Sequence, residues 1–251
     1  MAHRAVPPHG TVLNRVASGP CPRVLGNYSY SRVPARCAKS EATTSWAPIG
    51  LLWTRREPEW PVAARHTIPD DFPLLRGYPR DRDAESDAFG RSGPNRTMKP
   101  MVPEACGARV QVPDHADLLR ARWTNPEDLR DRQLVDFADQ RGARAYVRDL
   151  LGAFRACPAD GPRDDTRHSR VTATRRGDQG GVITSTYTYR GYPRPGLLVT
   201  HVVRVGTAVL LSATYNEGGA GPHPAREAAA ERRRTGHQID GVVRAMADRL
   251  N

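Results

Sequence analysis

The stretch GVITSTYTYRGYPRPGLLVTHVVRVGTAVLLSATYN, Gly181–Asn216, decides the fold. Its side chains alternate with a period of two. Ile183, Ser185, Tyr187 and Tyr189 share one strand face, and Val182, Thr184, Thr186 and Thr188 share the other. Thr and Tyr both favour strands. Leu197, Val199, Val203 and Val205 repeat the pattern with His201 among them. Val209, Leu211, Ala213 and Tyr215 repeat it again as an inward face. GYPRPG (Gly191–Gly196) predicts the first connection and Gly206-Thr207 a tight second turn. The pattern is a three-stranded antiparallel meander. It gives Tyr187 and Tyr189 a half-buried role on a strand and leaves Arg190, Tyr192 and Arg194 exposed at the turn.

Upstream, QRGARAYVRDLLGAFRACP (Gln140–Pro158) is the clearest helix. Ala143, Val147, Leu150, Leu151 and Phe154 form one apolar stripe, with arginines off it. Cys157 continues the stripe, so its sulfur is expected to face the core. ACGARVQV (Ala105–Val112), ADLLRARWT (Ala116–Thr124), RQLVDFAD (Arg132–Asp139) and RVTATR (Arg170–Arg175) read as strands. Asn125-Pro126 followed by Glu127 and Asp128 predicts a helix start, with Asn125 as N-cap and the acids complementing the helix dipole. Residues 80–100 read as loop. Thr67–Pro79 reads as an extended lead-in. Downstream, a last helix spans roughly Ala225–Leu250. Ile239, Val242, Val243, Met246 and Leu250 pack, the AREAAAERRR half is solvated, and Gly236 bends or divides the two.

The fold class is therefore α+β: an antiparallel sheet packed against two main helices. Two regions divide the 251 residues. Residues 66–251 form the sensor-sized domain. Residues 1–65 show no sustained period, carry Pro, Gly and Arg throughout, and hold three of the four tryptophans at irregular places. A segment that buries no face does not offset its chain entropy. It reads as a disordered extension, or as residues added by a misplaced start codon. The net charge of +11 divides unevenly. Residues 1–65 carry nine Lys and Arg against three Asp and Glu, and the remainder 29 against 24. The domain is close to balanced, which argues against a nucleic-acid module. No apolar run is long enough to span a bilayer. No apolar stretch follows the basic start, so no signal peptide is visible.

Motifs for chemistry are missing. The sequence holds no GxGxxG after a strand, no P-loop, no HExxH, no CxxC and no GxSxG. No catalytic residue, metal ligand or cofactor is assigned. His201, on an apolar strand face, reads as a satisfied core histidine. Asn95-Arg96-Thr97 matches a glycosylation sequon, a pattern common by chance. The GGAG loop is a weak anion motif without a Lys or Ser partner. Cys106 and Cys157 are the two cysteines of the patterned region, 51 positions apart. They read either as a disulfide or as two buried free thiols. The disulfide is preferred, because one cysteine ends a helix and the other opens a Cys-Gly turn. Cys21 and Cys37 lie in the unpatterned segment.

The ordered series DFPLLRGYP, SGPNR, EACG, EDLRDRQLVDFAD, LLGAFRACP, TYTYRGYPRPG, VVRVGTAVLLSATYNEGG and VVRAMADRL spans about residues 67–250. It resembles secreted or lipid-anchored actinobacterial proteins related to the PknH-like extracellular sensor domain of serine/threonine kinases. The resemblance implies an antiparallel sheet, disulfides, export from the cytoplasm and a cleft for an unidentified ligand, with no known reaction. Relatives often carry a Cys after the Met of the last helix. Here that position is Ala247, which puts a second disulfide in doubt.

These readings converge on a non-enzymatic extracytoplasmic sensor or ligand-binding domain, secreted or lipid-anchored. Its partner is a small ligand or a cell-envelope component. The candidate ligand residues are Arg190, Tyr192 and Arg194 at the turn and Asn216 and Glu217 in the Asn216–Gly221 loop. One rival is a cytosolic basic protein that binds nucleic acid or an anionic surface through residues 1–65 and Arg232–Arg234. Another is an enzyme assembled from His201, Asp136 and Glu217, which no spacing supports.

Overall fold

The computed structural model of the chain describes residues 68–79, 89–220 and 223–250. The unpatterned segment 1–65, with Cys21, Cys37 and the basic arm, lies outside them, as does Gly221. Among the described residues the chain runs β1 (Gly90–Asn95), β2 (Glu104–Ala105), β3 (Ala108–Arg109), β4 (Asp117–Thr124) and β5 (Asp128–Asp136). Then come α1 (Gln140–Ala156), β6 (Ala159–Asp160), β7 (Asp165–Ala173), β8 (Gln179–Tyr189), β9 (Tyr192–Val205), β10 (Ala208–Asn216) and α2 (Pro224–Arg249). Eight strands make one antiparallel sheet in the order β1-β4-β5-β10-β9-β8-β7-β6, and β2-β3 is a separate small hairpin. The expected meander β8-β9-β10 is its centre.

Both faces of that centre are buried, because both alternating sets are apolar. Val202, Val209 and Leu211 point to α1, where they meet Val147, Leu150, Leu151 and Phe154. Val203, Leu210 and Leu134 point the other way and meet Ile239, Val242 and Met246 of α2. Reading only Val209, Leu211, Ala213 and Tyr215 as inward thus captured one face of β10 and missed the other. The sheet is the middle of three layers.

Helix α1 starts where the sequence places it. Asp139 is its N-cap, and its side chain accepts a hydrogen bond from Gly142 N at 2.7 Å. Helix α2 is one continuous element of 26 residues. Gly236 neither bends nor divides it. Its missing side chain instead makes room for the Arg176 guanidinium, which packs against it. The first half of α2 is also not wholly solvated, since Ala228 is buried against Val182, Leu197 and Val199.

Several local expectations are corrected. Asn125-Pro126-Glu127 begins no helix. It is the turn joining β4 to β5, and the Asn125 Oδ1 accepts from Glu127 N and Asp128 N in an Asx-turn. The same side-chain chemistry serves an N-cap and a turn, so sequence alone did not separate them. Residues 80–100 are not all loop, because β1 pairs with β4. Ala105–Val112 is a tight β2-β3 hairpin around Cys106-Gly107, not one strand. Ile68–Pro79 is a series of turns whose Ile68, Phe72, Leu74 and Tyr78 are buried on the α2 side. The turn after β8 is only Arg190-Gly191, with φ of 51° and 82°, a type I′ geometry. The two prolines belong to β9. Thr186 pairs with Leu197 but Tyr187 with Arg194, so Pro195 and Gly196 are extruded as a bulge. Gly196 has φ +120°, and a Cβ there would press on the Tyr187 ring and Tyr215 hydroxyl.

Candidate functional site

Helix α1 covers only part of its sheet face. Beyond Phe154 the strands continue, and Leu129, Ala213, Leu198 and Ile183 form an apolar floor. The segment Met101–Glu104 lies across it as a roof. The result is a cavity of about 250 Å³. The roof is fixed at several points. Met101 N donates to Gln133 Oε1 at 2.6 Å, and Arg167 Nη2 donates to the Glu104 carbonyl at 2.6 Å. Cys106, two residues beyond Glu104, is bonded to Cys157 at the end of α1, with the Cα atoms 5.8 Å apart. Cys157 is buried in the α1 core, as its place on the apolar stripe predicts. Asp160 stands beside the two sulfurs. Its carboxylate accepts from Cys106 N at 3.0 Å and pairs with Arg167.

The walls are charged. Arg120 forks onto Asp131 and donates to the Lys99 carbonyl. Arg122 reaches the same Asp131 at 2.9 Å. Three guanidiniums, Arg120, Arg122 and Arg167, thus face two carboxylates, Asp131 and Asp160. The cavity's own lining is balanced, with Arg120 and Arg167 against Asp131 and Glu104. Arg167 Nε is buried and has no hydrogen-bond partner among the described residues. A buried N–H of this kind costs free energy until an acceptor reaches it.

None of the five sequence-derived candidates lines this cavity. Arg190 and Tyr192 sit at the β8-β9 hairpin tip, with Tyr192 76% exposed and Tyr189 48%. Arg194 stacks over the Tyr187 ring at 5.3 Å and pairs with Asp165 at 3.3 Å. Tyr187 in turn meets Tyr215 edge-on at 6.4 Å. Asn216 ends β10 and Glu217 follows it in the turn, where its N–H donates to the Glu127 carbonyl. The β9 bulge beyond Arg194 touches this turn, where Gly196 N donates to the Gly219 carbonyl at 2.8 Å, while Arg190 and Tyr192 lie out at the hairpin tip. The cleft residues Arg120, Asp131 and Arg167 were missed. Their signal was present in β4, where Arg120 and Arg122 alternate with Leu119, Ala121 and Trp123, putting two cations on one strand face.

The triad His201, Asp136 and Glu217 is not brought together. Asp136 pairs with Ala208 at one end of β10 and accepts from Thr207 Oγ1 at 2.7 Å, whereas Glu217 follows the other end. That strand alone separates them by about 27 Å. His201 points to α2, where its Nε2 meets Thr235 Oγ1 at 2.7 Å. Burial, then the Arg176 and Arg132 charges, depress its pKa to about 4, so it is neutral at pH 7. Asn95 ends β1, and its side chain caps Met98 N at 3.0 Å.

No family model matches the chain, and no curated protein matches it. Among solved structures it resembles the extracellular domain of PknH from Mycobacterium tuberculosis, with 12% sequence identity and a TM-score of 0.34. That match covers 50% of this chain and 63% of the other, less than two thirds of its length.

Proposed function

We propose that residues 66–251 form a non-catalytic sensor or ligand-binding domain of an extracytoplasmic compartment, with its ligand seated in the cleft between Phe154 and the Met101–Glu104 roof. The observation that carries this is the pairing of an apolar floor with a charged wall that holds one unpartnered buried N–H, Arg167 Nε. Such convergence of few polar groups over apolar surface is the usual make-up of a ligand pocket. The cavity volume of about 250 Å³ lies below the ~300–1,000 Å³ of drug-sized sites. The ligand is therefore small, with an apolar body and an acceptor-bearing head that meets Arg167. The Cys106–Cys157 bond supports an oxidising compartment, where disulfides persist. No helix among the described residues is long and apolar enough to cross a membrane.

Native mass spectrometry of the full chain isolated from its own host tests the reading. Ala213 lies on the cavity floor, and Ala213→Phe fills it. The wild type is expected to carry a small molecule that unfolding releases, and the A213F variant, folded by circular dichroism, to carry none. Equal occupancy of both proteins, or none in either, contradicts a cleft ligand.

A further inference from the structure

The opposite face of the sheet holds a second, chemically different concavity. Between the first half of α2 and strands β7 and β8 lie two cavities, of about 320 and 520 Å³, that both border Arg232. They extend along α2 from Pro224 to His237, about 20 Å at the helical rise. Arg170, Arg175, Arg232 and Arg233 line them, with His168 and His237. No carboxylate lines either cavity. Among the described residues only Arg176 of this group is neutralised, by Asp240 at 2.6 Å, which also meets His237 at 3.4 Å. Arg232 is half-buried, and among the described residues its guanidinium makes a single hydrogen bond, to Thr184 Oγ1 at 3.5 Å. Burial, then the Arg170 and Arg233 cations, hold its pKa below the usual guanidinium range. Like charges gathered without counter-charge are costly in isolation and are relieved by an anion. Elsewhere Arg96, Arg120, Arg122, Arg167, Arg194 and Arg249 meet carboxylates, and Arg91 and the buried Arg130 and Arg132 meet carbonyls or a ring.

We propose that this groove binds a linear phosphate-bearing polyanion, with successive phosphates held by Arg170, Arg232 and Arg233. Guanidinium forks match phosphate oxygens. The lining basic side chains, from His168 and Arg170 in one cavity to Arg175 and Arg233 in the other, are more than a single ion engages and fit a chain better. Two neighbouring ligand classes fit less well. No Trp, Tyr or Phe lines the groove to stack nucleobases. Its apolar lining is small, Ala225, Ala228, Ala229 and Val182, with nothing to insert into a bilayer.

The test is fluorescence anisotropy of the full chain with labelled short-chain inorganic polyphosphate, across a salt series. Arg170 and Arg233 are exposed, so R170Q/R233Q leaves the fold intact. Arg141 and Arg144, exposed on α1, supply the control R141Q/R144Q. The control has the same net charge, and the basic N-terminal arm is common to both variants. The groove variant is expected to bind about tenfold more weakly and to lower the salt slope by about two, with the control like wild type. Equal losses in the two variants, or no loss, overturn the proposal. So does tighter binding of a single-stranded oligonucleotide, or binding only to phosphatidylglycerol vesicles. Neither variant touches the cleft over α1, so failure here leaves the cleft reading standing.

Discussion

Two buried polar side chains carry much of the residue-scale argument. Arg132 is fully buried on the α2 side, donates to the carbonyls of Leu74 and Arg76, and lies 4.2 Å from the Tyr78 ring centroid. It ties the turn-rich lead-in to the sheet. Arg132→Leu orphans those carbonyls and is expected to cost on the order of 3 kcal/mol in chemical denaturation. A loss below 1 kcal/mol would show that the lead-in contributes little. His201 makes the fold sensitive to acid. Its folded pKa of about 4 lies below the unfolded 6.5, so between those values the unfolded chain binds the extra proton. Its stabilising effect is complete above pH 6.5 and is lost as pH falls towards 4, by about 3 kcal/mol in total. The groups facing it are Arg176, Arg132 and Arg232, with Asp240 opposing them. His201→Gln is expected to flatten the stability profile in that window. An unchanged profile would show that His201 does not carry the sensitivity in that window, and Asp117 acts only at lower pH, below its unfolded value of 3.8. There burial raises the carboxyl pKa, but Arg96 and the Ile68 and Leu118 N–H groups outweigh it and hold the pKa low.

At the scale of elements, the hairpin and the disulfide are the clearest tests. The type I′ turn needs positive φ at both Arg190 and Gly191. Gly191→Ala should cost about 1 kcal/mol, and Arg190→Asn should stabilise, because Asn tolerates this conformation better. The opposite order in thermal unfolding would contradict the turn assignment. The Cys106–Cys157 bond closes a separation of 51 residues. Replacing both with Ala is expected to lower stability by about 4 kcal/mol in the chain-entropy model. Elements with a strong period were legible in the sequence: α1 by its apolar stripe, and β8, β9 and β10 by alternation. What failed were short or ambiguous signals. Asn125-Pro126 serves a turn as well as a helix start. The prolines of GYPRPG look like turn residues but occupy a strand and its bulge. Strand β1, GRSGPN, carries no large apolar side chain and so has no alternation to read. The cleft was illegible for a different reason. Its floor and walls come from β4, β5, β7, β8, β9 and β10, and only the sheet order brings Arg120, Asp131 and Arg167 together.

At the scale of the whole domain, the sheet separates two environments. On the α1 face the disulfide fixes a roof over an apolar floor with a charged wall. On the α2 face a long helix leaves a cation-lined groove. The sequence displays their charges in separate strands and helices, so neither site could be recognised before the layers were assembled. Hydrogen exchange tests whether a small ligand occupies the α1-face cleft. The full chain as isolated from its own host is compared with the same chain unfolded without reductant, separated from released small molecules and refolded. The account predicts faster exchange after stripping in the Met101–Glu104 roof and in strands β8 and β9, with α2 unchanged. Identical exchange in the two samples, or a difference confined to α2, would contradict it.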